Sequence, residues 1–155
     1  MTFADLIATM TTAAAEGRAE DVAACFTEDG VYHDVFYGDF QGRDAIADLI
    51  TNHFHRDGAN FRWRTHDAIS DGARGYARYT FSYDSKLPGA EGRRAAFEGV
   101  ANCVLKDGLI ADYSEVANAA TGLRMIGFSD ARLAKFIDRE TEHLMARDEM
   151  ALHKS

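Results

Sequence analysis

Between Phe54 and Phe61 the apolar residues of this chain change their spacing, and that change restricts the fold more than any other feature. Before it the period is helical. Phe3, Leu6, Ile7, Met10 and Ala14 recur at intervals of three and four, and Ile46, Leu49, Ile50 and Phe54 do the same. After it the period is two. Phe61, Trp63, Thr65 and Ile69 alternate with Arg62, Arg64, His66 and Ala68, and Tyr79, Phe81 and Tyr83 alternate with Arg78, Thr80 and Ser82. Asp107-Gly108 then marks a two-residue hairpin between strands over 94–106 and 109–118.

The remaining elements fall into place around this switch. Gly17 stops the first helix, a short second helix runs over 20–26, and Val31 to Phe36 is rich in β-formers. A third helix is expected over 42–54. Ser129 caps a last helix reaching about Ala146, with Leu133, Phe136, Ile137 and Leu144 as its apolar stripe. Helices, one strand, a helix, four long antiparallel strands and a closing helix make an α+β fold. The expected form is a cone: a strongly curved antiparallel sheet with helices on its concave face. Residues 1–128 form the domain and 129–155 a helical extension.

Composition excludes several functions. With 155 residues and 46% hydrophobic content the chain can bury a sizeable core. A net charge of −8 without a basic cluster argues against nucleic acid. Cys25 and Cys103 sit singly in apolar runs, as two reduced, buried thiols would, and no spacing suggests a metal. The N-terminus lacks a basic signal region and no apolar run is long enough to span a membrane, so the expected location is the cytoplasm.

Chemistry concentrates in two places. Tyr32-His33-Asp34 puts three polar groups into one strand. Neighbouring strand residues point to opposite faces, so either Tyr32 and Asp34 enter a pocket together or His33 enters alone. The first arrangement is favoured. In the hairpin, a regular turn at Asp107-Gly108 places Asn102 opposite Tyr113, Val100 opposite Glu115 and Glu98 opposite Ala117. Glu98, Asn102, Tyr113 and Glu115 then share one face. Gly99, Ala101, Cys103, Ser114 and Val116 share the other, a candidate dimer surface. A β-bulge would swap part of this assignment. Asp34, Glu115, Tyr113 and Glu98 are therefore the candidate catalytic residues, since a carboxyl walled by apolar groups is prepared for proton transfer. Tyr32, His33, Trp63, Tyr79 and Asn102 are the candidate ligand contacts. No cofactor is implied, and the expected partners are a small apolar molecule and a second copy of the chain.

Three stretches carry a family resemblance: Phe26 to Asp34, Gly42 to Ile46, and Lys106 to Ile110 with Tyr113-Ser114-Glu115. In order and spacing, over roughly residues 3–118, they resemble the nuclear transport factor 2-like superfamily, whose enzyme branch holds the SnoaL-like polyketide cyclases and ketosteroid isomerases. The resemblance places the isomerases' aspartate base at Asp34. It places their helix-one oxyanion tyrosine near Met10 and their second oxyanion donor at Ala101 or Asn102. Without those donors the isomerase activity is not implied. Acid/base chemistry by another pair, His33 with Asp34 or Tyr113 with Glu115, is, as a cyclase, dehydratase, hydrolase or isomerase of another kind would use.

Overall fold

A computed structural model describes residues 1–154. The first half builds four helices and two strands. Helix α1 (Phe3–Glu16) starts at a capping box, in which Thr2 and Asp5 satisfy each other's exposed amides, and ends at Gly17 in the left-handed conformation. Helix α2 (Ala19–Ala24) leads into β1 (Phe26–Asp34), which turns back as β2 (Gly38–Gln41). Helix α3 (Arg43–Leu49) continues into a π-helical turn (Ile50–Phe54) and a last helical turn, α4 (His55–Asp57). The helix expected over 42–54 is thus interrupted, and the wider turn rotates the chain that carries Phe54 and Asp57.

Four long strands follow, as the alternation requires: β3 (Gly58–Ser70), β4 (Arg74–Ser85), β5 (Arg94–Lys106) and β6 (Leu109–Ala117). The sheet order is β2-β1-β6-β5-β4-β3. All pairs are antiparallel except β1 with β6, which run parallel. The sheet is curved and unclosed. Helix α5 (Ala119–Met125) packs on β5, and α6 (Asp130–Met145) follows it. A short 3₁₀ stretch (Asp148–His153) ends the described chain. Strand β2, helix α5 and the 3₁₀ stretch are additions to the elements expected above.

The core lies between α1, α3 and the inner face of the sheet. Ile7, Met10, Val22, Ile46, Leu49 and Ile50 meet Tyr32, Trp63, Tyr79, Cys103, Ile110 and Tyr113 there. Cys25 and Cys103 are free and buried.

The β5–β6 register differs from expectation. The turn is as expected, with Asp107 at φ 53° and Gly108 at φ 76°. A bulge then inserts Ala111, so Leu105 pairs with Ile110 but Val104 pairs with Asp112. Beyond it Cys103 faces Tyr113 and Ala101 faces Glu115. One extra residue moves a whole strand face relative to its partner. Glu98 and Asn102 therefore point outward, while Gly99, Ala101 and Cys103 point into the core. Ile110 and Tyr113 are both fully buried three positions apart, a spacing that only a bulge permits in a strand.

Candidate functional site

The inner face of the sheet leaves a cavity of about 490 Å³. Its walls are aromatic: Phe36, Phe54, Trp63, Phe81, Phe97 and Phe136. Trp63 meets Phe81 edge-on at 5.3 Å, Phe81 lies 5.1 Å from Phe97, and Phe36 lies 5.7 Å from Phe136 of α6. Such walls exclude water and lower the local dielectric, which disfavours charge on any carboxyl they enclose.

Two carboxyls enter it. Tyr32 on β1 and Tyr113 on β6 are register partners with ring centroids 4.6 Å apart, and both are completely buried. The next inward positions on these neighbouring strands are Asp34 and Glu115, and both line the cavity. Asp34 is 8% exposed. Its Oδ2 accepts hydrogen bonds from the amides of Phe36 at 2.9 Å and Tyr37 at 3.1 Å. Burial pushes its pKa up to about 6 despite those two bonds. Glu115 is half-buried, and its Oε2 accepts from the phenol of Tyr79 and, at a long 3.4 Å, from that of Tyr113. Burial pushes its pKa up to about 8, with the charge on Asp34 adding to the rise. Both tyrosines bond one oxygen, which leaves Oε1 for the cavity.

Tyr79 reaches Glu115 across β5. Tyr79 pairs with Gly99, which pairs with Ala117. A β-carbon at Gly99 would lie 2.6 Å from the Tyr79 hydroxyl, so the bare backbone makes room for the phenol. Burial and the neighbouring Glu115 hold this phenol far above the usual tyrosine range, so it stays a donor.

The expected site residues divide accordingly. Asp34, Glu115, Trp63 and Tyr79 line the cavity. Tyr32 and Tyr113 stand behind Glu115, in the core. The Tyr32 hydroxyl and the Trp63 indole N–H have no hydrogen-bond partner among the described residues. Glu98, Asn102 and His33 are not brought to the cavity. Asn102 accepts from Arg74 at 2.9 Å and donates to Ser114 at 3.3 Å on the outer face. Glu98 is exposed there, where the bulge puts it. His33 points outward because Tyr32 and Asp34 point inward, and its ring nitrogens meet Asp39 at 2.7 Å and Asp112 at 2.9 Å.

Other cavity residues lie outside the expected set. Tyr37 donates to Asp57 at 2.7 Å, and Arg56 holds both oxygens of Asp57 at 2.8 Å. That guanidinium keeps the Asp57 carboxyl below the usual range, so a charged, fully paired group sits at one edge. Arg132, Lys135, Phe136 and Arg139 come from α6. The apolar and charged faces of α6 are legible in the sequence, but nothing local says which of them meets the cavity. Phe136 is buried, Leu133 is half-buried, and Ile137 and Leu144 are exposed.

Residues 7–113 match the family model for a SnoaL-like domain. The chain belongs to the SnoaL-like family. Three solved structures show the same SnoaL-like architecture at low identity. A hypothetical protein with a ketosteroid isomerase-like fold from Catenulispora acidiphila, in complex with trimethylamine, is 16% identical with a TM-score of 0.73, covering 83% of this chain and 96% of that one. A putative polyketide cyclase from Pseudomonas putida is 21% identical with a TM-score of 0.65, covering 81% and 98%. An epoxide hydrolase of the LEH-like type from M. tuberculosis is 17% identical with a TM-score of 0.63, covering 88% and 95%. At these identities the likeness shows the fold alone. No curated protein matches. Within this SnoaL-like chain, Met10 and Ala101 are buried apolar residues and Asn102 is bonded to Arg74 and Ser114 on the outer face, so none of the positions where the resemblance looks for oxyanion donors offers one to the cavity. No helix among the described residues is long and apolar enough to cross a membrane.

Proposed function

We propose that the protein is a small-molecule enzyme that works by cofactor-free carboxyl acid/base chemistry, of isomerase, cyclase, dehydratase or hydrolase type. One observation carries this reading. Two carboxyls on adjacent strands face one apolar cavity, with pKa values pushed up to about 6 and about 8. At neutral pH such a pair holds one proton between its members. Glu115 is the proton donor. Asp34 is the acceptor, its amide bonds on Oδ2 leaving Oδ1 for substrate. Tyr79 holds Glu115 in place and resupplies a hydrogen bond when the proton leaves. Tyr113 supports it from behind. A donor and an acceptor flanking one apolar site suit enolisation, dehydration and epoxide opening alike, so the reaction class stays broad.

The test is turnover of a panel of apolar compounds bearing an enolisable ketone, a β-hydroxy ketone or an epoxide. The expected result is activity that Asp34→Asn and Glu115→Gln each reduce by about 10²-fold or more. A compound that binds in the cavity while both variants leave every turnover rate unchanged would contradict it. That outcome would favour the second reading, a non-catalytic module for apolar ligands, which the loss of both oxyanion donors supports.

We also infer a homodimer through the outer sheet face. Tyr76, Val100 and Val116 are exposed on neighbouring strands β4, β5 and β6, Val116 by 73%. A monomeric mass by light scattering at micromolar concentration would exclude it.

A further inference from the structure

We propose that the cavity takes an apolar molecule bearing one anionic group, which Arg132, Lys135 and Arg139 of α6 hold at the mouth. This inference rests on the cavity being the ligand site and narrows the class of substrate. All three side chains line the cavity and all three residues are exposed, so they stand at its opening. Their spacing of three and four puts them within roughly 60° of the circumference of α6. Phe136, on the same side, is buried in the mouth against Phe36.

Three features separate this group from an ordinary solvated helix face. The chain carries a net charge of −8, yet three cations gather at one opening. Among the described residues none of the three makes an ion pair. Aromatic faces hold two of them at the rim: the Arg132 guanidinium lies 3.7 Å from the Phe128 ring centre, and that of Arg139 lies 5.6 Å from Phe136.

The acidic groups of the cavity fix the ligand's direction. Asp57 is taken up by Arg56 and Tyr37. Asp34 and Glu115 line the interior, where the charge of Arg139 reaches Asp34, and the half-buried Glu140 of the helix acts on both carboxyls with the opposite sign. A negative group on the ligand gains nothing beside Asp34 and Glu115 and meets three cations outside any ion pair at the mouth. The apolar, reacting end therefore lies at Glu115 and the anionic end at α6.

The experiment compares two fluorescent probes with the same aromatic body. One, 8-anilinonaphthalene-1-sulfonate, is anionic, and the other, N-phenyl-1-naphthylamine, is neutral. Their dissociation constants are measured on the full chain and on Arg132→Gln/Lys135→Gln/Arg139→Gln, with circular dichroism checking the fold. Gln keeps helix propensity while removing charge. The triple variant is expected to weaken the anionic probe about tenfold and the neutral one by less than twofold, and high salt should weaken the anionic probe in the wild type alone. Single Lys135→Gln and Arg139→Gln variants, expected to lose about two- to threefold each, serve should the triple variant loosen α6. Equal losses for both probes, or no loss for either, would overturn the proposal. A wild type that binds neither probe would overturn it together with the ligand-site reading beneath it. If Asp34→Asn and Glu115→Gln leave turnover intact while affinity still depends on the α6 cations, the catalytic reading fails and the anion site stands.

Discussion

Strands β1, β2 and β6 carry two sets of acidic residues on opposite faces of the sheet, and the sets meet different surroundings. On the inner face Asp34 and Glu115 sit among aromatic walls, and burial raises both pKa values. On the outer face Asp112 and Asp39 grip His33 from either side. Burial alone would lower the His33 pKa, but the two carboxylates outweigh it and raise it. His33 and Asp34 are consecutive. The pleat sends one side chain to a half-exposed ion cluster and the next into a low-dielectric cavity. Environment, rather than residue type, decides which acidic group pairs with a histidine and which is a proton reservoir.

The largest effects should come from the inner set. Glu115→Gln should reduce kcat by about 10²–10⁴-fold, while Glu98→Gln, on the outer face, should stay within twofold of wild type in the same assay. Equal effects of the two substitutions would erase the distinction between the faces.

The two sets should also separate in the pH dependence of stability. Glu115 holds its proton more tightly folded, at about 8, than unfolded, near 4.5. The folded state then carries the extra proton between those values, so this contribution is full below about pH 4.5 and is lost as pH rises through about 8. Asp34 acts in the same direction between about 4 and about 6. Chemical denaturation at pH 9 should show Glu115→Gln more stable than wild type by on the order of 2 kcal/mol, after discounting for the solvent that reaches its cavity side. At pH 4 the two should match. His33 works through pairing instead. Its contribution is full below its unfolded pKa, near 6.5, and fades as pH rises through its raised folded value. His33→Gln should therefore cost about 0.5–1 kcal/mol at pH 5.5 and close to nothing at pH 9.

Gly99→Ala probes the passage between strands. Its β-carbon would crowd both the Tyr79 hydroxyl and the Val116 carbonyl, which should cost about 1–3 kcal/mol in denaturation and displace the donor of Glu115. The smallest effect should come from Tyr79→Phe, which deletes that donor without crowding and should move the Glu115 titration further upward.

Most of the fold is legible in the sequence because its signals are local. The stripe of α1, the alternation along β3 and β4, and the Asp107-Gly108 turn each depend on residues within a few positions. The pleat likewise separates His33 from Asp34. The faces of β5 are not legible in the same way, because the bulge at Ala111 is a pairing event whose cue is the burial of both Ile110 and Tyr113. Without the bulge Glu98 and Asn102 join Glu115, and with it Gly99 and Ala101 do. Arg132, Lys135 and Arg139 could not be placed at the cavity either. A helix that packs on the rest of the chain through Phe136 gives no local sign of what lies beneath it.

The proposed chemistry requires Glu115 to be protonated at neutral pH beside a more acidic Asp34. Carboxyl ¹³C chemical shifts of the full chain, followed from pH 3 to pH 10 and assigned with Glu115→Gln and Asp34→Asn, measure this directly. Glu115 is expected to titrate at about 8 and Asp34 at about 6. Both groups titrating near 4, as exposed carboxyls do, would contradict it.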